Sequence, residues 1–373
     1  MSGERVPTIR TPRRVLVVTL RFLGDALLST ALVHALKQRW PECAIDVLTF
    51  AGTEAAFEGN PDVAQILAVA ERASAMDTLR RALSMRRRYD LAVVAQTGTR
   101  PFLFGWAAGR QRVALVSAEP GKSWWKRLLL DGYAVFDDRG SRVLENQRIA
   151  RLLGIGAEPS VVPPSAGWGA GEVAAALGFD PVEVPFAVVH PSPRWRYKQW
   201  TRAGWQALIR LLAARGLRVV ITGGPAADER RYLDDVLTGF DDVPFERVDG
   251  RWSLAQTADV LRHARVFVGP DTATTHLAAA CGAPTVALYG PTDPAIWGPW
   301  PARDGGAYER VAMHQRRGNV LLLQNPELSC VPCQLEGCER HRQSHSQCLD
   351  RLGAARVIEA ALEQLGSGEA QAR

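Results

Sequence analysis

Residues 14–36 read RVLVVTLRFLGDALLSTALVHAL, and this stretch decides the predicted fold. Its first part, RVLVVTL, contains a continuous apolar run, which is typical of a parallel strand buried on both faces. Apolar side chains at helical spacing follow directly after Gly24 and Asp25. A buried strand that leads into a helix is the repeating unit of a doubly wound parallel sheet, so the stretch predicts an α/β fold.

The same alternation extends outward from this stretch. Further strands are predicted at AIDVLTF, QILAVA, DLAVVAQ and RVALVS, with helical patterns such as ASAMDTLRRALSMRRR (73–88) between them. The alternation stops between residues 154 and 185, where Gly and Pro are frequent as in a linker. It restarts with FAVVH and continues through RVVITGG, VFVGP and TVALYG.

The pattern predicts two Rossmann-like domains with parallel sheets, over residues 1–165 and 184–350. A C-terminal helix within residues 351–373 is expected to pack back towards the N-terminal domain, before a short tail. Ligands of such sheets bind beyond the carboxyl ends of the strands. With two facing domains, we expect the active site in the cleft between them.

Length and composition suit a two-domain globular protein. The 373 residues exceed one typical domain, and 47% hydrophobic with 23% charged residues allows a large core. No run approaches the roughly 20 apolar residues of a membrane-spanning helix. The N-terminus MSGERVPTIRTPRR is not followed by the apolar region of a signal peptide, so we expect a cytoplasmic protein.

The chain is mildly basic, with a formal net charge of +6. Its basic residues gather in two patches, one of arginines within residues 80–88 on a predicted helix and one of Lys, Arg and Trp within residues 122–127. Either patch is compatible with a solvated surface or with docking on an anionic lipid surface. No nucleic-acid recognition motif is present, so nucleic acid is not an expected partner.

Four loops that follow predicted strands carry candidate site residues. In the first, RFLGD, Asp25 either caps the next helix or serves as a general base. The loop lacks the G-x-G-x-x-G pattern, which disfavours dinucleotide binding.

The second loop, HPSPRWRYKQW (190–200), contains a hydroxyl group and several cations. Ser192, Arg194 and Arg196 suit a diphosphate, and Lys198 suits stabilisation of a departing nucleotide. The alternative is a basic surface loop.

The third and fourth loops are GPDTATTH (269–276) and GGPAADE (223–229). The third suits an anion at a helix N-terminus, whereas simple capping by Asp271 and Thr272 and a packed, hydrogen-bonded His276 are the alternatives. In the fourth, Asp228 or Glu229 either binds a ribose or complements the helix dipole.

Taken together, these segments resemble the ADP-heptose:lipopolysaccharide heptosyltransferases of glycosyltransferase family 9. The stretch 14–36 is similar to their N-terminal signature, and GPDTATTHLAAACGAPTVALYGPTDPAIWGPW (269–300) is similar to their donor-site signature. The similarity runs from about Arg14 to Leu365. The RFLGD form, the GNPDV segment (59–63), Trp297 and Trp300 resemble the branch that adds the third heptose of the inner core.

The resemblance implies the GT-B fold, in which an N-terminal acceptor domain faces a C-terminal donor domain. It implies inverting transfer of heptose from ADP-heptose to a lipopolysaccharide core acceptor, at the inner face of the inner membrane. Residue by residue, it implies a catalytic base at Asp25, a phosphate contact at Ser192, a diphosphate-neutralising cation at Lys198 and a ribose contact at Glu229. The donor-binding run matches Asp271, Thr272 and His276, with pyrophosphate against the backbone amides near Ala273, where part of the family has glycine.

No cofactor is predicted for catalysis. Lys198 and a helix N-terminus would supply the positive charge that the ADP leaving group needs, and the chain has no Asp-x-Asp motif. A single base and a single displacement would invert the anomeric centre.

Four cysteines near the C-terminus form a further candidate site. They are Cys330, Cys333, Cys338 and Cys348, with His341 and His345 in the last interval. Structural zinc, reduced thiols without a ligand, and disulfides are the three interpretations, of which a cytosolic location disfavours the last.

Two other functions remain open at this point. The same scaffold could use another sugar donor or a protein acceptor. Alternatively, the chain could be a non-catalytic nucleotide-binding module, although the combination of Asp25, Lys198 and Asp271 favours an enzyme.

Overall fold

The computed structural model describes residues 4–240 and 243–371. Its contacts divide the chain into two compact units, Met1–Pro164 and Ser165–Arg373. Each unit has its own sheet flanked by helices.

The first unit contains a six-stranded sheet with the order β3-β2-β1-β4-β5-β6, in which all neighbours are parallel. The strands are β1 (Arg14–Val18), β2 (Ala44–Phe50), β3 (Gln65–Val69), β4 (Tyr89–Val94), β5 (Gly109–Val116) and β6 (Gly132–Val135). The helices are α1 (Leu23–Arg39), α2 (Ala75–Ser84), α3 (Thr99–Ala108), α4 (Pro120–Leu128) and α5 (Arg142–Leu152).

The predicted strand within residues 14–20 lies in the middle of this sheet. Val15 pairs with Ile45 on one side and with Leu91 on the other, and Val15–Val18 are fully buried. Burial on both faces explains why the run is apolar without alternation. The α/β prediction for this half of the chain is confirmed.

The second unit contains a seven-stranded sheet with the order β12-β13-β11-β10-β7-β8-β9. Its strands are β7 (Phe186–Ser192), β8 (Arg218–Gly223), β9 (Phe245–Arg247), β10 (Val266–Pro270), β11 (Thr285–Leu288), β12 (His314–Arg317) and β13 (Val320–Leu323). All pairs are parallel except the edge pair β12 and β13.

The helices of the second unit alternate with these strands. They are α6 (Ala170–Leu177), α7 (Arg202–Ala214), α8 (Ala227–Leu237), α9 (Leu254–Leu261), α10 (Ala273–Ala280), α11 (Pro294–Trp297), α12 (Gln347–Asp350) and α13 (Ala354–Gln371). Helix α13 packs against α7, β10, β11 and β13 of its own unit. Its predicted return towards the first domain concerns the relation of the two units and stays a prediction. No helix among the described residues has the length and apolar character to span a membrane.

The helix predicted over residues 73–88 is shorter than expected. Ser74 caps α2 by accepting a hydrogen bond from the Asp77 N–H, and the helix ends at Ser84. Arg87 adopts a positive φ of 52°, which a helix does not allow. The arginines at 86–88 therefore lie beyond the helix, which corrects the sequence prediction.

Candidate functional site

Asp25 lies in the first turn of α1, just after the loop that connects β1 to this helix. Two hydrogen bonds of 2.8 Å between Gln96 and the backbone of Leu20 fix this loop. The N-cap of α1 is Phe22, whose side chain makes no capping hydrogen bond, and Asp25 lies half-buried in the first turn. The capping interpretation of Asp25 is therefore wrong, while its predicted role as a base stays open.

Asp25 lines a small cavity together with two arginines. Arg21 belongs to the same loop, and Arg142 is the first residue of α5. Burial lowers the pKa of Arg142 and the nearby Arg21 lowers it further, whereas Asp25 acts in the opposite direction. The cavity thus places one carboxylate beside two guanidinium groups, which suits proton transfer from a hydroxyl group on an acidic molecule.

A second acid in this cavity, Glu145, has a structural role. It is 4% exposed, and its carboxylate accepts the Asp137 N–H at 2.8 Å and a hydrogen bond from Arg148 at 3.3 Å. Asp25 therefore remains the candidate base. The sequence did not reveal Arg142 as a neighbour of Asp25, because no local motif connects α1 with α5.

In the second unit, the structure brings Lys198 and Asp271 together. Lys198 Nζ lies 2.6 Å from Asp271 Oδ2, and Thr292 Oγ1 donates to the same oxygen at 2.6 Å. Burial would raise the pKa of Asp271, but Lys198, His276 and the Thr292 hydrogen bond hold it below its ordinary value. Asp271 is thus an ionised anchor for the Lys198 ammonium and not a helix cap.

His276 is buried beside this pair. Its Nε2 lies 3.9 Å from Asp271 Oδ1, and its Nδ1 has no hydrogen-bond partner among the described residues. Burial lowers the pKa of His276 to about 4, so the ring is neutral near pH 7. His276 is therefore packed, as the alternative interpretation expects, but its Nδ1 is not hydrogen-bonded within the described part of the chain. A buried nitrogen of this kind indicates a place for a ligand.

Helix α10 begins next to these side chains. Thr272 caps it by accepting the Thr275 N–H at 3.3 Å, so the capping interpretation is confirmed for Thr272. The first amides of the helix, from Ala273 onward, point out of its N-terminus, where the helix dipole favours an anion.

Ser192 ends β7 and is 1% exposed. Its Oγ has no hydrogen-bond partner among the described residues. A Cβ at Gly223 would lie 2.9 Å from this oxygen, so glycine there leaves space for the hydroxyl group. Like His276 Nδ1, the Ser192 hydroxyl is a buried polar group available to a ligand.

The structure distinguishes the two acids of the fourth loop. Both lie in the first turn of α8, where either complements the helix dipole. Asp228 is exposed and pairs with Arg231, whereas Glu229 is partly buried and accepts the Gly224 N–H. Burial raises the pKa of Glu229, and Arg194 offsets part of this rise. Glu229 thus faces the basic loop, at an open cleft of about 390 Å³ that Arg194 also lines.

The cysteine-rich segment packs against the basic loop that carries Lys198. The Arg196 N–H donates to the Arg342 carbonyl at 3.1 Å, and Ser346 Oγ donates to the Tyr197 carbonyl at 2.6 Å. The guanidinium groups of Arg194 and Arg342 lie over the Trp195 ring, 4.7 and 4.4 Å from its centroid. The sequence did not predict this support, which positions Lys198.

The four cysteines themselves are free thiols, so the disulfide interpretation is wrong. Burial, with a smaller contribution from nearby Cys333 and Cys338, raises the pKa of Cys348 to about 12. Within residues 4–240 and 243–371, no three His, Cys, Asp or Glu side chains are arranged to hold a metal ion. A structural zinc on Cys330, Cys333, Cys338 and Cys348 stays a prediction from their spacing.

Solved structures with the same fold define the class of protein. E. coli ADP-heptose lps heptosyltransferase II aligns with a TM-score of 0.72 and 20% identity, over 95% of this chain and 99% of that chain. E. coli heptosyltransferase WaaC with ADP-2-deoxy-2-fluoro heptose aligns with a TM-score of 0.67 and 22% identity, over 94% and 99% of the two chains. The fold is therefore that of the GT-B glycosyltransferases, as predicted.

Sequence comparison identifies the family. The family model "Glycosyltransferase family 9 (heptosyltransferase)" matches residues 77–320, so the chain belongs to this family and is a glycosyltransferase. A curated relative, lipopolysaccharide heptosyltransferase 3 of E. coli, is 26% identical over 75% of this chain and 84% of its own length.

Proposed function

We propose that the protein transfers heptose from ADP-heptose to the inner core of lipopolysaccharide, with inversion and without a catalytic metal. The names of the relatives support the lipopolysaccharide acceptor, and the WaaC structure supports an ADP-heptose donor. The observation that carries the proposal is the Lys198–Asp271 pair beside the N-terminus of α10 in the second unit. The same unit holds two buried polar atoms, Ser192 Oγ and His276 Nδ1, that have no hydrogen-bond partner within the described part of the chain.

This group of residues suits a nucleoside diphosphate. Lys198 is held by Asp271 and would bring its positive charge to the phosphate oxygens, and the first amides of α10 would offer hydrogen-bond donors. Ser192 Oγ and His276 Nδ1 would each gain a hydrogen bond from the bound donor. Glu229 would accept hydrogen bonds from the ribose hydroxyls.

Asp25 would supply the base. Its carboxylate takes the proton of the acceptor hydroxyl as the hydroxyl oxygen attacks the anomeric carbon. The bond from that carbon to the phosphate oxygen breaks, and ADP departs with the bonding electrons. Because one displacement occurs on the face opposite ADP, the anomeric configuration inverts.

The departing diphosphate gains its negative charge in front of groups that are already cationic or partly positive. Lys198 and Arg194 provide full charges, and α10 provides a dipole. These groups can perform the neutralisation that a divalent cation performs in other enzymes. We accordingly expect transfer to continue in the presence of a chelator.

The acceptor places the proposed reaction at a membrane. Lipopolysaccharide carries its core on a lipid anchor, so the enzyme would act as a peripheral protein at the cytoplasmic face of the inner membrane. Arg21 and Arg142, beside Asp25, are suited to acidic groups of such a core.

The test is a transfer assay with ADP-heptose and a truncated lipopolysaccharide core, with and without EDTA. A core that gains one heptose, with an anomeric configuration opposite to that of the donor by NMR, is the expected result. Loss of transfer with EDTA, or retention of configuration, would contradict the mechanism.

Donor selectivity is tested separately by thermal shift with ADP, UDP and GDP. ADP should stabilise the protein most. Stronger stabilisation by UDP or GDP would favour a different sugar donor, and binding of ADP without transfer to any core or protein acceptor would favour a non-catalytic module.

A further inference from the structure

The helices α2, α3 and α4 form one layer over one face of the first sheet. Ala82 of α2, Phe104 of α3 and Trp125 of α4 join the same core cluster as Leu16 and Val18 of β1. The inner sides of the three helices thus pack against the sheet, whereas their outer sides lie at the surface.

The outer sides of these helices are unusually apolar. Met76, Leu79 and Leu83 follow each other at helical spacing on α2, and Met76 is 58% exposed. On α4, Trp124 and Leu128 are 60% and 73% exposed. Together with Trp106 of α3, they make up about half of the exposed large apolar side chains that the structure describes. Such concentration marks an interaction surface and not ordinary solvent exposure.

The outer sides of the three helices, here called the α2–α4 face, meet where the helices end. The Arg87 N–H, just after α2, donates to the Ala107 carbonyl of α3 at 2.9 Å. The Arg112 guanidinium lies 5.8 Å from the Trp106 ring and donates to the Leu129 carbonyl, just after α4, at 3.5 Å. The ends of the three helices are therefore neighbours.

Cations surround the apolar side chains of the α2–α4 face. Arg80, Arg81, Arg86 and Arg88 are exposed along and just after α2. The nearby acids pair locally, Asp77 with Arg80 at 4.0 Å and Glu119 with Lys122 at 2.8 Å. The face thus keeps an excess of positive charge.

Two residues of the basic patch at 122–127 do not belong to this face. Lys126 is 4% exposed and donates to the Thr97 carbonyl at 2.6 Å. Trp125 packs edge-on against Phe102, with ring centroids 5.0 Å apart. The exposed side chains of the α2–α4 face therefore include Trp124 and Leu128 of α4 and the arginines of α2, but not Trp125 or Lys126.

We propose that the α2–α4 face docks the protein on an anionic phospholipid bilayer. Leu79, Leu83 and Leu128 would enter the boundary between headgroups and acyl chains, Trp124 would lie at headgroup level, and the arginines would contact lipid phosphates. A second copy of the chain is a poor fit for the same face, because it would oppose the two sets of arginines.

This inference rests on the proposed function, since it names the surface by which the enzyme would reach a lipid-anchored acceptor. Each cation near an anionic membrane is expected to strengthen binding by about fivefold. Docking through one defined face would hold the enzyme in a fixed orientation on the membrane.

The test is co-sedimentation of the full chain with phosphatidylcholine vesicles, with and without phosphatidylglycerol. The protein should bind only the anionic vesicles, and added salt should weaken binding. An apolar variant, L79Q/L83Q/L128Q, and a cation variant, R80Q/R81Q/R86Q, should each bind at least about tenfold more weakly.

Matched controls alter exposed residues of the second unit. The variants V182Q/V311Q/M313Q and R215Q/R265Q should bind like the unmodified protein, and all four variants should melt at similar temperatures because the altered side chains are exposed. Equal losses in the control variants, or no binding of the unmodified protein, would refute the proposal. A concentration-dependent dimer that L79Q/L83Q/L128Q abolishes would assign the face to a second copy instead.

Vesicle binding needs no substrate, so its outcome is independent of catalysis. The apolar and cation variants should also transfer heptose normally to a soluble, delipidated core. Normal vesicle binding without any transfer would count against the proposed function alone, and normal transfer without vesicle binding against the α2–α4 face alone.

Discussion

The two candidate sites differ in the kinds of groups that lie together in each of them. In the second unit, Lys198, Asp271 and Thr292 are joined by contacts of 2.6 Å. In the first unit, Asp25 lies in a half-buried helix turn beside a cavity that also contains Arg142. A group that stabilises developing charge is most effective when it is fixed beforehand, whereas a base must be reachable by the acceptor hydroxyl. This contrast is compatible with the proposed division, in which the second unit binds the donor and the first unit accepts the proton.

The largest effect is expected from Asp25→Asn. It keeps the size of the side chain but removes the proton acceptor, so kcat should fall by about 10²–10⁴-fold while ADP affinity is unchanged. Steady-state kinetics and calorimetric ADP titration measure the two quantities. Asp77→Asn, in the first turn of α2, is the matched control and should retain kcat with a soluble acceptor. A near-normal kcat for Asp25→Asn would show that Asp25 is not the catalytic base.

Lys198→Ala should affect both catalysis and stability. Without the ammonium, Asp271 is left buried and unneutralised, which we expect to lower the free energy of unfolding by about 2 kcal/mol because Lys198 is partly exposed. The kcat should fall by about 10²–10³-fold.

The double variant K198A/D271N separates these two effects. It should recover most of the lost stability in urea unfolding but none of the activity. Recovery of both would mean that Lys198 acts only in folding.

A smaller effect is expected from Ser192→Ala. Because Ser192 Oγ has no partner in the described part of the chain, its removal should leave the free energy of unfolding unchanged but weaken ADP binding by about tenfold. Thr292→Val is the contrasting variant, since its hydroxyl already serves Asp271, and it should lower stability by about 1 kcal/mol. If the ADP affinity of Ser192→Ala were unchanged, the diphosphate would not contact the Ser192 hydroxyl.

The smallest effect concerns pH. Burial lowers the pKa of both His190 and His276 to about 4, whereas an unfolded histidine has a pKa near 6.5. Between these values the unfolded state binds more protons, so stability must decrease as the pH falls from about 6.5 towards 4. At pH 5 we expect a loss of about 1–2 kcal/mol per histidine relative to pH 7.

Urea unfolding of H190Q and H276Q at the two pH values checks this expectation. Each substitution should reduce the difference between pH 7 and pH 5, whereas His314→Gln, at an exposed position, should not. An undiminished pH difference in both variants would show that other groups control acid stability.

The sequence predicted the central strands of both sheets, but it missed strands at or near their edges. Buried parallel strands such as β10, and β1 after its first residue Arg14, are apolar, so they can be recognised in the sequence without knowing which strand they pair with. The short strands β6 and β9 and the antiparallel pair β12 and β13 were missed, because they are brief or polar. The end of α2 was misplaced, because the arginines at 86–88 favour a helix, whereas α2 ends at Ser84 and Arg87 has a positive φ.

The sequence could predict those candidate site residues that belong to local motifs at the ends of strands. Ser192 ends β7, Asp271 directly follows β10, and His276 lies in the helix that begins after β10, so their common edge of the sheet could be expected. The pairing of Lys198 with Asp271 and the approach of Arg142 to Asp25 depend on tertiary packing between segments far apart in sequence. The support of the Lys198 loop by residues 342–346 has no sequence signal for the same reason.

The division of labour is tested most directly by amide hydrogen exchange with and without ADP. The account predicts slower exchange on ADP binding in peptides covering residues 190–200 and 269–276, and unchanged exchange in peptides covering residues 20–30. Slower exchange confined to residues 20–30, with the two loops of the second unit unaffected, would contradict it.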